Sequence, residues 1–128
     1  MGIRNELQKE GKLTGQINNE FTYLIASSEV PIDKPVRVVI AGRDPLAVYR
    51  LADEFYVTED ECTHGEGSLS KGRIMDGREI RCPVHRGTFD IESGKAVVFP
   101  CTEPLMIFPT ELRDGAVWAS LDKGYFSE

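Results

Sequence analysis

Short runs of apolar and β-branched residues, separated by turn residues, make up most of the chain from Phe21 onwards. Such runs, spaced about every 8–12 residues, are typical of the strands of small all-β domains. The predicted strands include FTYLIA, VRVVIA, LAVYRL and FYVTE, and the turn GRDP separates the second from the third. Strands this short, interrupted by scattered prolines, argue against a parallel sheet or a helical bundle.

Three dipeptides that favour tight turns separate further predicted strands. They are Asp76-Gly77, between GRIM and REIRC; Ser93-Gly94, between TFDI and KAVVF; and Asp114-Gly115, between LMIFPTEL and AVWASL. Glycine supplies the positive φ that a tight hairpin requires, so each dipeptide predicts a hairpin corner. We expect an all-β fold, an antiparallel β-sandwich or partial barrel, with a cluster-binding lobe at about residues 62–89 inserted into it.

The first twenty residues are polar, with Ile3, Leu7, Leu13 and Ile17 as their main apolar side chains. We predict that residues 1–20 form an N-terminal extension, with a short helical turn over Arg4 to Glu10. The chain of 128 residues is long enough for one hydrophobic core and too short for two ordinary domains. Residues 21–128 are therefore predicted to form a single domain.

Charge and hydropathy limit the classes of function. The net charge of −6 argues against nucleic-acid binding, which requires a basic surface. No apolar stretch approaches the roughly 20 residues of a membrane-spanning helix, and no signal pattern is present, so we expect a cytoplasmic monomer without membrane contact. The net negative charge lies in Asp53 to Glu66, which either steers a basic partner or is simply a solvated strand and turn.

Both histidines and two of the three cysteines lie between residues 62 and 85, as Cys62-x-His64 and Cys82-x-x-His85. The hairpin around Asp76-Gly77 would bring the two loops side by side. An odd number of cysteines does not suit a disulfide framework, whereas thiolate and imidazole together suit zinc or an iron–sulfur centre. Structural zinc sites usually pair like ligands, so one cysteine and one histidine in each loop favour a two-iron cluster with two cysteines on one iron and two histidines on the other.

The run CPVHRGTFDIESGKAV, together with the preceding C-x-H, resembles the Rieske ferredoxins of bacterial aromatic-ring-hydroxylating dioxygenases, from about Phe21 to Leu121. The resemblance implies a Rieske fold with one [2Fe-2S] cluster per chain, Cys62 and Cys82 binding the inner iron, and His64 and His85 the outer iron. It also implies that a loop containing Pro100 shields the cluster. Arg86 departs from the family pattern, since many members have glycine there.

The same resemblance implies a soluble one-electron carrier that takes electrons from an NAD(P)H-dependent reductase and passes them to a terminal oxygenase, both of them transient partners. The two histidines are both needed for the cluster, which leaves none for a mononuclear iron site. The chain also lacks the G-x-G-x-x-G fingerprint of a site for flavin or nicotinamide. We therefore expect an electron-transfer component and not an enzyme.

The reduction potential is expected at the low end of the Rieske range, about −150 mV. Respiratory Rieske proteins carry a loop disulfide and two hydroxyls against the cluster, and this chain has Gly67 and Val84, and Gly87 and Phe89, at those positions. Fewer hydrogen bonds to sulfur should lower the potential.

Two alternatives remain open at the level of sequence. One is an accessory subunit of a reductase, such as the Rieske-like small partner of nitrite reductase. The other is a structural zinc domain without redox activity. Cys101, beside Pro100, is interpreted as a small packed thiol in preference to a redox residue.

Overall fold

The computed structural model describes residues 14–127, which form three antiparallel sheets of four strands each. The base sheet has the order β1 (Ile17–Asn18), β2 (Phe21–Ala26), β12 (Ala116–Ala119), β11 (Thr110–Arg113). The middle sheet has the order β10 (Ile107–Phe108), β5 (Glu54–Glu59), β4 (Leu46–Leu51), β3 (Val36–Val38). The lobe sheet has the order β6 (Arg73–Met75), β7 (Glu79–Arg81), β8 (Thr88–Asp90), β9 (Ala96–Val98). Short 3-10 turns span Ser27–Glu29, Leu69–Lys71 and Leu121–Lys123.

Strand β4 lies between two hydrophobic cores. Its residues Leu46 and Val48 pack in the core shared with the base sheet, whereas Ala47 and Tyr49 pack in the core shared with the lobe. Successive side chains of a strand point to opposite faces of the sheet, so both sets can be buried at once. The continuous apolar run LAVY is therefore explained by a strand that is covered on both faces.

The predicted strand LMIFPTEL is divided between two sheets. Its first half, β10, pairs with β5, and its second half, β11, pairs with β12. Pro109 lies at the division, where its missing N–H removes one donor from the ladder, and its carbonyl accepts a bond from the Ser120 N–H.

The three predicted hairpin corners are present. Asp76 and Gly77 have φ values of 54° and 67°, and Asp114 and Gly115 have φ values of 49° and 75°. These corners join β6 to β7 and β11 to β12 in antiparallel register. The turn at Gly94, with a φ of 78°, lies between β8 and β9.

The prediction of an all-β antiparallel fold with an inserted lobe is confirmed. The predicted helical turn at Arg4 to Glu10 lies outside the described residues. Pairing in the base sheet begins at Ile17, upstream of the predicted start at Phe21, and the lobe sheet continues to Val98. Among residues 14–127, no helix is long and apolar enough to cross a membrane.

Candidate metal centre

The two predicted ligand loops close in the same way. The backbone N–H of Cys62 donates to the carbonyl of Gly67 at 2.8 Å, and the N–H of Cys82 donates to the carbonyl of Gly87 at 2.9 Å. In each loop the cysteine carbonyl also accepts a hydrogen bond, from the backbone N–H of Gly65 in the first loop and of Arg86 in the second. The similar closure presents Cys62-x-His64 and Cys82-x-x-His85 as two tight loop tips.

The four side chains separate by depth. The cysteine residues are buried, with Cys62 2% and Cys82 1% exposed, whereas His64 and His85 are exposed. The two imidazole rings lie edge to face, with their centroids 4.7 Å apart and their planes at 87°. The structure thus places the two imidazoles against each other at the surface and keeps the two thiols buried; among residues 14–127 it shows no group of three or more His, Cys, Asp or Glu side chains arranged to hold a metal ion.

The Cys62 thiol is protonated in the absence of a metal, because its pKa is raised. The pKa of Cys62 is raised to about 12, mainly by burial and in part by the neighbouring Cys82 and Cys101, against the backbone N–H of His64, which lowers it. A thiol in such a site keeps its proton at neutral pH in the absence of a metal. Metal binding therefore has to displace that proton, as it does in other thiolate centres.

A third loop covers the cysteines. Cys101, which is 4% exposed, places its Sγ 3.9 Å from the Sγ of Cys62. The hydroxyl of Thr63 donates to the carbonyl of Glu103 at 2.7 Å, which ties the first ligand loop to the same third loop. The sequence favoured a small packed thiol over a redox residue at Cys101, and its place directly after Pro100 was the signal of proximity to the site.

Two glycines lie directly against the cysteine sulfurs. A Cβ built on Gly67 would lie 2.4 Å from Cys82 Sγ and 3.6 Å from the Cβ of Cys62, and one built on Gly87 would lie 2.6 Å from Cys101 Sγ. In this arrangement a side chain at either position would require the adjacent sulfur to move. By donor type, two soft sulfurs and two imidazoles fit a [2Fe-2S] group with two ligands per iron.

Asp60 holds the first ligand loop, a role that the sequence did not reveal. Its carboxylate is buried, accepts from the Ser68 hydroxyl and from the Ser70 N–H at 2.8 Å, and lies 3.5 Å from Arg37. These bonds join the end of β5 to the segment that follows the loop. In sequence Asp60 is one of several consecutive acidic residues, and nothing local distinguishes it from the others.

The acidic run does not border the site along its whole length. Glu59 pairs with Arg43 at 2.8 Å, and Asp60 is buried. Asp53 and Glu54 lie at the other end of β5, roughly 17 Å away at the usual rise of a strand. Beside the first ligand loop lies an open groove of about 870 Å³, in whose lining four acids, Asp44, Glu59, Glu61 and Glu103, stand among apolar residues such as Met106 and Phe126.

Arg86 has a left-handed backbone, with a φ of 69°. This conformation costs a residue with a side chain roughly 1–2 kcal/mol and costs glycine little. The departure from glycine noted in the sequence thus falls at a position where glycine is the favoured residue. The Arg86 side chain is exposed next to His85.

Comparisons with known proteins agree with this geometry. Residues 20–109 match the family described as the Rieske [2Fe-2S] domain. Ferredoxin CarAc of Metapseudomonas resinovorans is 42% identical over 107 residues, which covers 84% of this chain and 99% of that protein. The anthranilate 1,2-dioxygenase ferredoxin subunit of Burkholderia cepacia is 40% identical over 98 residues, which covers 77% of this chain and 89% of that protein.

A solved structure extends the likeness to three dimensions. A chain in a complex of reduced oxygenase and oxidized ferredoxin in carbazole 1,9a-dioxygenase superposes with a TM-score of 0.74 at 43% identity, covering 80% of this chain and 94% of that chain. The family match and these identities confirm the sequence-based resemblance and the cofactor type, and they leave no support for a zinc domain. The chain belongs to the Rieske [2Fe-2S] family.

Proposed function

We propose that this chain is the ferredoxin component of a multicomponent aromatic-ring dioxygenase system, carrying single electrons from an NAD(P)H-dependent reductase to a terminal oxygenase. The observation that carries the proposal is that the two ligand loops each contribute one buried thiol and one exposed imidazole, with the two imidazoles in contact. The curated relatives named above are ferredoxin components of such systems, which supports a carrier over a reductase subunit.

We assign Cys62 and Cys82 to the inner iron and His64 and His85 to the outer iron of one [2Fe-2S] cluster per chain. When bound, the cluster supplies a site that gains and loses one electron. The buried cysteines keep the inner end of the site away from water, and the exposed imidazoles reach the surface. The ring N–H of each histidine that is not bound to iron can then donate a hydrogen bond to a partner protein.

The surface around the histidines suits a transient partner. Val84 is 50% exposed, and Phe99, which directly precedes the Pro100 loop, is 80% exposed. The acidic groove lies on the side of the first ligand loop. A small apolar area beside a charged one supports brief docking, in which water is excluded from the imidazoles and charge guides the approach.

The proposal places the protein in the cytoplasm, as a monomer, with a potential at the low end of the Rieske range. Phe89 is buried in the same core as Cys62 and Cys82 and brings no hydroxyl to them. With fewer donors to sulfur, the reduced cluster is less stabilised, and the potential falls. A low potential suits electrons that originate in NAD(P)H.

Reconstitution tests the function. Protein reduced with dithionite is mixed with candidate terminal oxygenases, and both its reoxidation and the formation of diol from an aromatic substrate are followed. We expect reoxidation coupled to product with at least one oxygenase of this class. A purified protein that contains zinc, lacks acid-labile sulfide and gives no electron paramagnetic resonance signal after reduction would contradict the proposal.

A further inference from the structure

A third buried thiol lies against the proposed ligands and has no part in the assignment above. Cys101 is in the loop after β9, and its Sγ is 3.9 Å from the Sγ of Cys62. Its backbone N–H donates to the carbonyl of Val98, which fixes the loop. The sulfur is also packed against Gly87 of the second ligand loop, where no Cβ would fit.

The ligand assignment decides which of the two sulfurs, that of Cys62 or that of Cys101, donates the hydrogen bond between them. In the protein without metal, either thiol can donate. Once Cys62 binds iron as a thiolate it has no proton, so only Cys101 can donate. A buried anionic sulfur gains stability from each donor that faces it, and a hydrogen bond to a charged acceptor is stronger than one between neutral groups.

We propose that Cys101 is a positioning residue whose S–H donates to Cys62 Sγ and raises the reduction potential of the cluster. The inference rests on the proposed function, since it takes Cys62 as a ligand of the inner iron. Reduction adds negative charge that spreads to the cysteine sulfurs, so a donor on Cys62 stabilises the reduced form more than the oxidised form. The Cys101 thiol takes over, on this one sulfur, part of the role that hydroxyls have in respiratory Rieske proteins.

Substitutions at Cys101 separate a hydrogen bond from simple packing. Cys101→Ala removes the donor, so the midpoint potential should become more negative. Cys101→Ser keeps a donor of similar size, so its potential should stay at or above that of the unmodified protein. If Cys101 only fills space, Cys101→Ala would admit water, which stabilises the reduced cluster and shifts the potential upwards or not at all. Thr102→Ala, an exposed change in the same loop, is the control and should leave the potential unchanged.

An infrared measurement on the unmodified protein gives an independent readout. With Cys62 and Cys82 bound to iron, the one remaining S–H among the three cysteines belongs to Cys101. We expect a single S–H stretching band in the holoprotein, shifted to lower frequency than that of a free thiol and absent from Cys101→Ser. A band at the free-thiol frequency would overturn the proposal even if the alanine variant failed to fold.

The results also separate this inference from the proposed function. If the unmodified protein gives no characteristic Rieske electron paramagnetic resonance signal after reduction, both the proposed function and the role of Cys101 are wrong. If that signal is present and Cys101→Ala has an unchanged or higher potential, or if Cys101→Ser falls as far as Cys101→Ala, the donor role of Cys101 alone is wrong.

Discussion

Gly67 lies between the two proposed inner ligands, where a Cβ would be 2.4 Å from Cys82 Sγ. We expect Gly67→Ala to lower the iron and acid-labile sulfide per chain to a small fraction of normal, because the added methyl group occupies space beside both sulfurs. Iron and sulfide analysis of the purified protein is the measurement. Gly65→Ala in the same loop is the matched control, since a Cβ there meets nothing within 4 Å. Full iron content in Gly67→Ala would contradict this prediction and show that the Cys82 sulfur moves aside to admit the methyl group.

The exposed position of His64 allows a direct test of its role as a ligand. His64→Cys should retain iron, because thiolate also binds iron, and should shift the midpoint potential downwards, because thiolate adds negative charge to the outer iron. A redox titration followed by circular dichroism or electron paramagnetic resonance measures the shift. Thr63→Ser, which keeps the hydroxyl that bonds the Glu103 carbonyl, should leave the potential unchanged. An unchanged potential in His64→Cys would remove His64 from the ligand set.

Among the elements of the lobe, the turn between β8 and β9 depends on Asp90. Partial burial acts to raise the pKa of Asp90, but the Ser93 hydroxyl and N–H, together with Arg78, outweigh it and lower the pKa. A lowered pKa in the folded state means that the ionised carboxylate stabilises the fold. This contribution is complete above the unfolded pKa of about 3.9 and is lost as the pH falls through the folded value.

Asp90→Asn should therefore lower the free energy of unfolding by about 1–2 kcal/mol near neutral pH, with the difference from the unmodified protein shrinking below about pH 4. Urea midpoints compared at each pH between about pH 7 and pH 3.5 measure the difference. Asp76→Asn is the control, because Asp76 is exposed at another corner of the same sheet. A difference that is constant with pH would show that the charge of Asp90 contributes nothing.

Local sequence predicts some elements and not others. The corner at Asp76-Gly77 was predictable because both residues tolerate the positive φ that they adopt. The division of LMIFPTEL was not predictable. Its second half pairs with the neighbouring β12, but its first half pairs with β5, which lies far away in the chain. The placing of the four proposed ligands in two neighbouring loops was predictable from their spacing and residue type. The roles of Asp60 and Cys101 depend on contacts with Ser68, Ser70 and Cys62, which no local pattern encodes.

For the whole molecule, the acidic groove beside the first ligand loop suggests how a partner is approached. Glu61 and Glu103 are exposed there and next to the loop that carries His64. The double substitution Glu61→Gln with Glu103→Gln should slow association with a basic oxygenase or reductase surface at low ionic strength, with the difference disappearing at high salt.

Stopped-flow electron transfer at a series of salt concentrations measures this effect. The matched control, Glu111→Gln with Asp114→Asn, removes the same charge from the base sheet and should have little influence on the rate. If the rate hardly depends on salt, or if both double variants slow it equally, the acids beside the loop do not steer the partner.

The two ligand loops also determine how much stability the folded protein loses with its cofactor. Cys62 and Cys82 lie in separate loops on either side of the β6–β7 hairpin, and tying both to one group cross-links the chain. A cross-link that closes a loop of about 20 residues removes conformational entropy from the unfolded chain worth about 3 kcal/mol. The apoprotein should therefore melt at a lower temperature than the holoprotein, which calorimetry of the two forms would measure. A carrier of electrons built in this way also depends on its cofactor for part of its resistance to unfolding.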